Sequence, residues 1–176
     1  MTLNIILIGA VLVGLILLFW YGGHLVFSGD RELPFELRRA DLIYAEHTFQ
    51  TSKWPRVLAR VDRAYRKANG AFILVELKTR SRKVAFPSDV IELSAQRFAL
   101  MKQMNVTVEQ YGYVLVQHAE GKILGVIKVA LLDEHAVVSL AERRRSILMT
   151  DGNPRPNGFP HLCKSCAYRP KCSASS

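Results

Sequence analysis

Residues Arg60–Arg80 read RVDRAYRKANGAFILVELKTR, and this stretch decides how the chain folds. Its centre holds the pair Asn69-Gly70, which is the strongest short signal for a β-hairpin turn. The segments before and after this pair are rich in β-branched, aromatic and other apolar residues, as strands are. The sequence therefore predicts an antiparallel hairpin from Arg56 to Thr79. Its second strand is expected to be central in the sheet because it is apolar on both faces.

Two charged residues, Glu76 and Lys78, interrupt the second strand near its end. Residues two apart in a strand project to the same face, so this carboxylate and this ammonium are expected to lie side by side. Asp62, on the first strand, can reach the same space across the hairpin. An unpaired carboxylate is costly in a dry sheet unless it binds or pairs with a cation. Since carboxylate oxygens bind Mg²⁺, two carboxylates and a lysine together suit a hard divalent metal. The alternative is a simple Glu76–Lys78 ion pair at a strand end that faces solvent.

The rest of the sequence predicts a small α/β domain around a mixed sheet, in the order helix, strands, helix, strands, helix. Helical composition or spacing is found in three segments: Pro34–Phe49, Ser88 to about Met104, and Asp133–Met149. Ser88 is expected to cap the second of these helices. Two further strands are expected at Tyr111–Ala119 and Ile123–Leu131.

The N-terminal part of the chain is uncharged up to Asp30. Its apolar run, Leu3–Tyr21, is about as long as a helix that spans a bilayer, so residues 1–29 are expected to form a membrane anchor and linker. A signal peptide and a buried core helix are the competing interpretations, and the lack of a basic segment ahead of the run disfavours the first. Arg31 and further arginines follow the run. The positive-inside rule then predicts a single pass through the inner (cytoplasmic) membrane, with the C-terminal domain in the cytoplasm.

The net charge of the chain is +9, and every charged residue lies after position 29. Such a basic domain suggests an anionic partner, either nucleic acid or an anionic membrane surface, although a solvated basic surface is also compatible. The three cysteines, Cys163, Cys166 and Cys172, lie close together in the sequence. This grouping suits a metal site better than a disulfide framework. His161 is the nearest candidate for a fourth ligand, and His47 or another residue brought in by the fold is the alternative. Three reduced thiols without a metal are the alternative.

Together, these motifs resemble the PD-(D/E)xK nuclease superfamily, in which a strand Asp is followed by a strand Glu-x-Lys. The similarity is greatest to its RecB-like branch, which includes the CRISPR-associated adaptation nucleases. The stretch LSAQRFALMKQ resembles the Gln-x-x-x-Tyr motif of that branch, with Gln96 in place and Leu100 where the tyrosine would be. The stretch CKSCAYRPKC has the Cys-x2-Cys-x5-Cys spacing that closes the iron–sulfur members. The resemblance covers most of the chain, from about Asp41 to Ser176.

This resemblance implies a restriction-endonuclease-like mixed sheet. It also implies that DNA phosphodiester bonds are hydrolysed by a water that Mg²⁺ or Mn²⁺ activates. Asp62 and Glu76 would be the metal ligands, together with the backbone carbonyl of Leu77. Lys78 would position the attacking water, and Gln96 would contact the site or the DNA.

Members of the family often carry a further acid or histidine on the helix before the hairpin, and of Glu46 and His47 we favour Glu46. The cysteine tail, with His161, would hold a [4Fe–4S] cluster, with Zn²⁺ as the alternative. The cysteine that the iron–sulfur members place ahead of the nuclease core has no counterpart here. The alternative function is a non-catalytic module that holds DNA or a protein partner at the membrane. The expected division of the chain is residues 1–29 as anchor, 30–150 as nuclease core and 151–176 as metal-binding tail.

Overall fold

The structure is a computed structural model that describes residues 33–150, 163–164, 166–167 and 169–172. Five strands form one mixed sheet whose spatial order follows the chain order. The strands are β1 (Asp41–Gln50), β2 (Leu58–Arg66), β3 (Phe72–Thr79), β4 (Val108–Gln117) and β5 (Ile123–Ala130). The helices are α1 (Phe35–Arg38), α2 (Pro87–Met104) and α3 (Glu134–Met149), and a 3₁₀ turn spans Arg169–Lys171. The predicted α/β architecture around a mixed sheet is therefore confirmed.

Neighbouring strands are antiparallel except for β3 and β4, which are parallel. A parallel pair needs a long crossover, and α2 supplies it. The predicted hairpin is β2–β3. Two backbone hydrogen bonds of 2.9 Å close its turn: the Lys67 N–H donates to the Ala71 carbonyl, and the Gly70 N–H donates to the Lys67 carbonyl. Gly70 has φ +83°, which only a glycine adopts readily. As predicted, β3 is central, with β2 on one side and β4 on the other.

The predicted helix over Pro34–Phe49 is wrong for most of its length. Only Phe35–Arg38 is helical, and Asp41–Gln50 is the edge strand β1. Leu42 and Ile43, which a helix would have turned inward, are both exposed, whereas Phe49 is fully buried. The physical reason is that β1 pairs with β2 along its whole length, and this long-range pairing outweighs the weak local preference for a helix.

The two faces of the sheet carry separate apolar clusters. The cluster under α2 includes Phe49, Val61, Leu74, Leu93 and Leu100, all fully buried. The cluster on the other face includes Leu37, Tyr65, Ile73, Val75 and Tyr113. Alternate residues of β3 belong to alternate clusters, so the even-numbered positions of this strand face α2. Each buried side chain of this size stabilises the fold by about 1.5–3 kcal/mol, and together they hold the central strand rigidly.

A polar cluster ties α1 to the face of the sheet opposite α2. Glu36 accepts hydrogen bonds from the hydroxyls of Tyr111, at 2.7 Å, and Tyr113, and from Lys128 at 3.4 Å. The Lys128 ammonium lies 3.6 Å from the centre of the Tyr111 ring. Burial would raise the pKa of Glu36, but these hydrogen bonds outweigh it and hold that pKa below its usual range. The carboxylate is therefore kept ionised and fixes the start of the described chain on the sheet.

The connection from β3 to α2 is fixed by the buried ion pair of Arg80 and Asp89. The guanidinium donates to both carboxylate oxygens, at 2.6 and 2.7 Å, and also to the Val84 carbonyl at 2.6 Å. Asp89 further accepts from the Phe86 N–H at 2.8 Å and so caps the helix. The predicted cap, Ser88, lies inside the helix, which begins at Pro87. The pair therefore determines where α2 begins relative to the end of β3.

Within residues 33–150 and the described part of the tail, no helix is both long and apolar enough to cross a bilayer. The predicted anchor, residues 1–29, lies outside the described residues. The first of two compact units ends at Val137 and the second begins at Val138. The sheet, α1 and α2 belong to the first unit.

Asp89→Asn is expected to lower the free energy of unfolding by about 3 kcal/mol, because it leaves the Arg80 guanidinium without its buried counter-charge. Burial raises the pKa of Asp89, but the bonds from Arg80 and Phe86 outweigh burial and set this pKa below its usual range. The stabilisation is therefore present in full above pH ~4 and is lost as the pH falls through the folded-state pKa. Urea unfolding of parent and variant at neutral and acidic pH measures both effects.

The matched control is Glu134→Gln, which breaks the Lys102–Glu134 pair. That pair is as short, at 2.5 Å, but its side chains are 47% and 41% exposed. Its loss is expected to cost less than about 1 kcal/mol because exposed ion pairs contribute little. Equal losses in the two variants, or a loss for Asp89→Asn that persists unchanged in acid, would contradict the assignment.

Candidate metal centre

The candidate site lies where β2 and β3 separate. The register of this pair ends at Arg63 opposite Val75, one residue before Asp62 would pair with Glu76. Instead of a strand partner, the Leu77 N–H donates to the Asp62 carboxylate at 2.8 Å. A side chain thus takes the place of a missing backbone acceptor, which satisfies a partly buried N–H group. This hydrogen bond holds the Asp62 carboxylate beside the end of β3.

The sheet is also irregular on the other side of Asp62. Glu46, opposite Asp62 in β1, has φ +50° although it is not a glycine, and its two neighbours pair with β2 on either side. Val61 and Ala64 both belong to the cluster under α2 although they are three residues apart. The usual alternation of faces is therefore reset at this point. A left-handed conformation at such a residue costs of order 1–3 kcal/mol and is often found at functional sites.

Glu76 is the central group of the site and is only 2% exposed. One carboxylate oxygen lies 2.6 Å from the Lys78 ammonium, and the other accepts from the Gln96 amide at 2.6 Å. Burial raises the pKa of Glu76; Lys78 and Gln96 oppose this, and the negative charges of Asp62 and Glu92 add to it. The site is thus a buried carboxylate with too little positive charge around it, which a bound cation would stabilise.

Gln96 is placed by α2 and serves as a bridge between strands. Its amide nitrogen donates both to Glu76 and to the Arg60 carbonyl, the latter at 3.0 Å. Both partners are acceptors, so the orientation of the amide is determined by them. Its carbonyl oxygen, Oε1, is buried and has no hydrogen-bond partner among the described residues. This oxygen can accept from a water molecule at the site.

Glu92 belongs to the site, although we did not predict it from the sequence. Its carboxylate lies 2.7 Å from the Lys78 ammonium, so Lys78 bridges Glu76 and Glu92. Burial would lower the pKa of Lys78, but the hydrogen bonds to Glu76 and then Glu92 outweigh it and raise that pKa above its usual range. The signal in the sequence is that Glu92 lies four residues before Gln96, so both face the same way on α2.

The donors at this site fit a hard divalent cation such as Mg²⁺ or Mn²⁺. Asp62 and Glu76 supply carboxylate oxygens, and such cations are usually held by one or two carboxylates and several waters. Leu77 joins the site through its N–H, which is bonded to Asp62. Among the described residues, no three His, Cys, Asp or Glu side chains are gathered closely enough to enclose a metal.

Glu46 is not drawn into these contacts. It lies on a strand and not on the predicted helix, and its carboxylate pairs with Arg60 at 2.6 Å, both side chains being more than half exposed. The His47 ring lies tilted against the rings of Tyr44 and Phe49, with ring centres 5.2 and 4.7 Å away. The structure therefore brings together Asp62, Glu76, Lys78 and Gln96, and leaves Glu46 in a surface ion pair.

The cysteine tail consists of backbone turns in the residues that are described. The Cys166 N–H donates to the Cys163 carbonyl at 3.4 Å, and the Cys172 N–H to the Arg169 carbonyl at 3.2 Å. None of the three cysteines forms a disulfide. His161, the predicted fourth ligand, lies outside the described residues.

Comparison with known proteins gives no family assignment. No protein-family model matches the chain, and no curated protein matches it. Solved structures do match, among them one described as "Crystal structure of SSO0001". The match has 20% sequence identity and a TM-score of 0.45, and it covers 95% of this chain and 72% of the other. A likeness this distant carries no argument about function.

Two substitutions of Asp62 are expected to separate its structural hydrogen bond from its charge. Asp62→Ala removes the acceptor of the Leu77 N–H and should lower the free energy of unfolding by about 1–2 kcal/mol. Asp62→Asn keeps an acceptor oxygen and should lose clearly less. Both variants remove the same negative charge near Glu76, so the difference between them isolates the hydrogen bond. Equal stability of the two variants in urea unfolding would show that this bond does not hold the strands at the fork, the point where β2 and β3 separate.

Proposed function

We propose that the protein is a divalent-metal-dependent nuclease that hydrolyses DNA phosphodiester bonds at the site of Asp62, Glu76 and Lys78. The observation that carries the proposal is the buried Glu76 carboxylate, which lies beside a second carboxylate at the fork of two strands and touches a lysine. Burying such a carboxylate disfavours folding when nothing is bound to it. A cation and a phosphate that bind there would account for its position.

Each residue has a role that follows from its contacts. Asp62 and Glu76 would hold Mg²⁺ or Mn²⁺, which when bound polarises a phosphoryl oxygen and lowers the pKa of a coordinated water. Lys78 remains protonated and offers an ammonium to the phosphate or to the attacking water. Gln96 orients the Glu76 carboxylate through its amide hydrogen bond. Asp62 is oriented in the same way by the Leu77 N–H.

The DNA is expected to lie across the basic surface around the fork. Arg60 and Arg63 flank Asp62 on β2, and the loop after β3 carries the exposed Arg82 and Lys83. The net charge of +9 supports an anionic partner, because phosphates are attracted to such a surface at long range. The resemblance of the motifs to the RecB-like branch of the PD-(D/E)xK nucleases supports the same substrate and a restriction-endonuclease-like fold.

We further propose that residues 1–29 anchor this nuclease in the inner membrane as a single pass, with the domain in the cytoplasm. The support is the uncharged apolar run Leu3–Tyr21 and the arginines that follow it.

A non-catalytic module that binds DNA or a protein at the membrane is the second candidate. One contact favours it: the Lys78 ammonium already neutralises part of the Glu76 charge, at 2.6 Å. This pairing reduces the charge that a cation would have to neutralise. Cleavage assays distinguish the two candidates.

Glu76→Gln is expected to abolish Mn²⁺ binding and to reduce DNA cleavage by at least about a hundredfold, because a cation ligand is lost and with the cation goes the positive charge that compensates the phosphate. Calorimetric titration with Mn²⁺ and cleavage of single- and double-stranded DNA, with Mg²⁺ or with chelator, measure these effects. The full-length protein is used in a mild detergent because of its apolar N-terminal segment.

Glu109→Gln is the matched control for that variant. Glu109 also pairs with a lysine, Lys67, at 2.7 Å, and it lies away from the fork. It should bind Mn²⁺ and cleave DNA as the parent does. If Glu76→Gln cleaves as fast as Glu109→Gln, the nuclease proposal is wrong. If neither the parent nor the control cleaves DNA but both bind it, the binding module is favoured.

The cysteine tail, residues 151–176, is proposed to bind a metal through Cys163, Cys166 and Cys172. A [4Fe–4S] cluster is favoured over Zn²⁺ by the similarity of the spacing to the iron–sulfur nucleases. His161 is the candidate fourth ligand in either case, since both centres usually take four ligands.

Anaerobic purification is expected to give a brown protein that contains iron and sulfide, as a cluster requires. A colourless protein with one zinc per chain would support the alternative. Cys166→Ser should reduce the metal content and leave Mn²⁺ binding at Asp62 and Glu76 intact. A metal-free parent that cleaves DNA normally would show that the cysteines do not form a metal site.

A further inference from the structure

The Lys78 ammonium is shared between two carboxylates that come from different elements. It lies 2.6 Å from a Glu76 oxygen, on the same strand, and 2.7 Å from a Glu92 oxygen, on α2. The two oxygens of Glu76 are both occupied, one by Lys78 and one by Gln96. A cation that binds Glu76 must therefore approach an oxygen that Lys78 or Gln96 now contacts.

A divalent cation and the Lys78 ammonium repel each other strongly when both contact Glu76, because the site is buried. The Gln96 amide is neutral and is also held by the Arg60 carbonyl, so it is the less easily moved partner. Lys78 is thus the partner that the cation displaces more readily from Glu76. Its side chain is 23% exposed, and a released lysine could turn into water.

Glu92 is placed to hold Lys78 after this exchange. Its carboxylate already contacts the ammonium, and its position is fixed by the same turn of α2 that carries Gln96. Nearby Arg80 does not compete for Glu92, since its guanidinium is bonded to both oxygens of Asp89. The carboxylates of Asp62, Glu76 and Glu92 carry three negative charges, and Lys78 carries one positive charge. A divalent cation would neutralise the remaining negative charge.

From these contacts we propose that Glu92 is a positioning residue, which retains the Lys78 ammonium at the site when a divalent cation takes its place on Glu76. This inference rests on the proposed nuclease function and adds a residue to it. Without Glu92, Lys78 would move into solvent as the cation binds. Neither the phosphate nor the attacking water would then meet the ammonium.

The experiment compares the full-length parent with Glu92→Gln, Glu92→Asp and the control Glu134→Gln. Glu134 serves as the control because, like Glu92, it is a glutamate on a helix that is about half exposed and paired with a lysine. The first measurement is the rate at which acetic anhydride acetylates Lys78, by mass spectrometry, with and without Mn²⁺ and in the absence of DNA. Lys78 should stay protected in the parent and the control under both conditions. In Glu92→Gln, Mn²⁺ should increase its acetylation at least about tenfold.

Two further measurements distinguish positioning from direct ligation. The Kd for Mn²⁺ should rise less than about tenfold in Glu92→Gln, as expected for one charge lost near the cation and not for a lost ligand. The kcat for DNA cleavage should fall about a hundredfold while KM changes less than about threefold, because an interaction made in the transition state is lost. Glu92→Asp keeps the charge and should recover part of kcat and most of the protection of Lys78.

Each contrary result overturns a different statement. If Glu92→Gln binds Mn²⁺ and keeps both its kcat and a protected Lys78, Glu92 has no positioning role, and the nuclease proposal stands. If Glu92→Gln no longer binds Mn²⁺, Glu92 is a cation ligand and the positioning role is wrong. If the parent itself binds no Mn²⁺, the proposed function fails, and this inference fails with it.

Discussion

The hydrogen bond from the Leu77 N–H to the Asp62 carboxylate is the contact on which the candidate site depends. At this position two neighbouring strands stop pairing, and a backbone donor in the middle of a sheet would otherwise remain unsatisfied. A carboxylate that accepts this bond can be tolerated where a strand partner is absent. The same bond holds Asp62 within electrostatic reach of Glu76. The fork and the acidic pair are thus one feature of the structure.

Opposing interactions act on the ionisation of Glu76. Its burial and the nearby charges of Asp62 and Glu92 disfavour ionisation, whereas Lys78 and Gln96 favour it. A buried carboxylate of this kind contributes little to stability by itself, and an apolar side chain of similar size would often serve the core better. The β3 strand accommodates it because the residues before it, Phe72–Val75, are buried in two apolar clusters. The burial of these apolar residues therefore offsets the unfavourable burial of the Glu76 carboxylate.

Helix α2 connects the two halves of this arrangement. Its buried face supplies Leu93 and Leu100 to the core, and the same helix supplies Gln96 and Glu92 to the charged site. The Arg80–Asp89 pair sets where the helix begins after β3. Since a helix is a rigid element, the distance between Gln96 and Glu92 changes little when the site changes its charge. This rigidity is the basis for assigning Glu92 a role in holding Lys78.

Much of the fold and part of the site were readable from the sequence. The β2–β3 hairpin follows from Asn69-Gly70 and the flanking apolar runs, and the shared face of Glu76 and Lys78 follows from the period of a strand. Both are local properties, set by residues that are close in the chain. Gln96 could also be predicted, but only through a resemblance of motifs.

Tertiary structure alone decided the rest. The strand Asp41–Gln50 has a helical composition and becomes a strand because β2 offers it a partner along its whole length. Glu46 was expected at the site, but Arg60, which is distant in sequence, holds it in a surface pair. In the sequence, Glu92 resembles an ordinary surface residue. Its carboxylate meets Lys78 because α2 packs over β3. Local periodicity specifies which way a side chain points along its own element, whereas the group it meets depends on how distant elements pack.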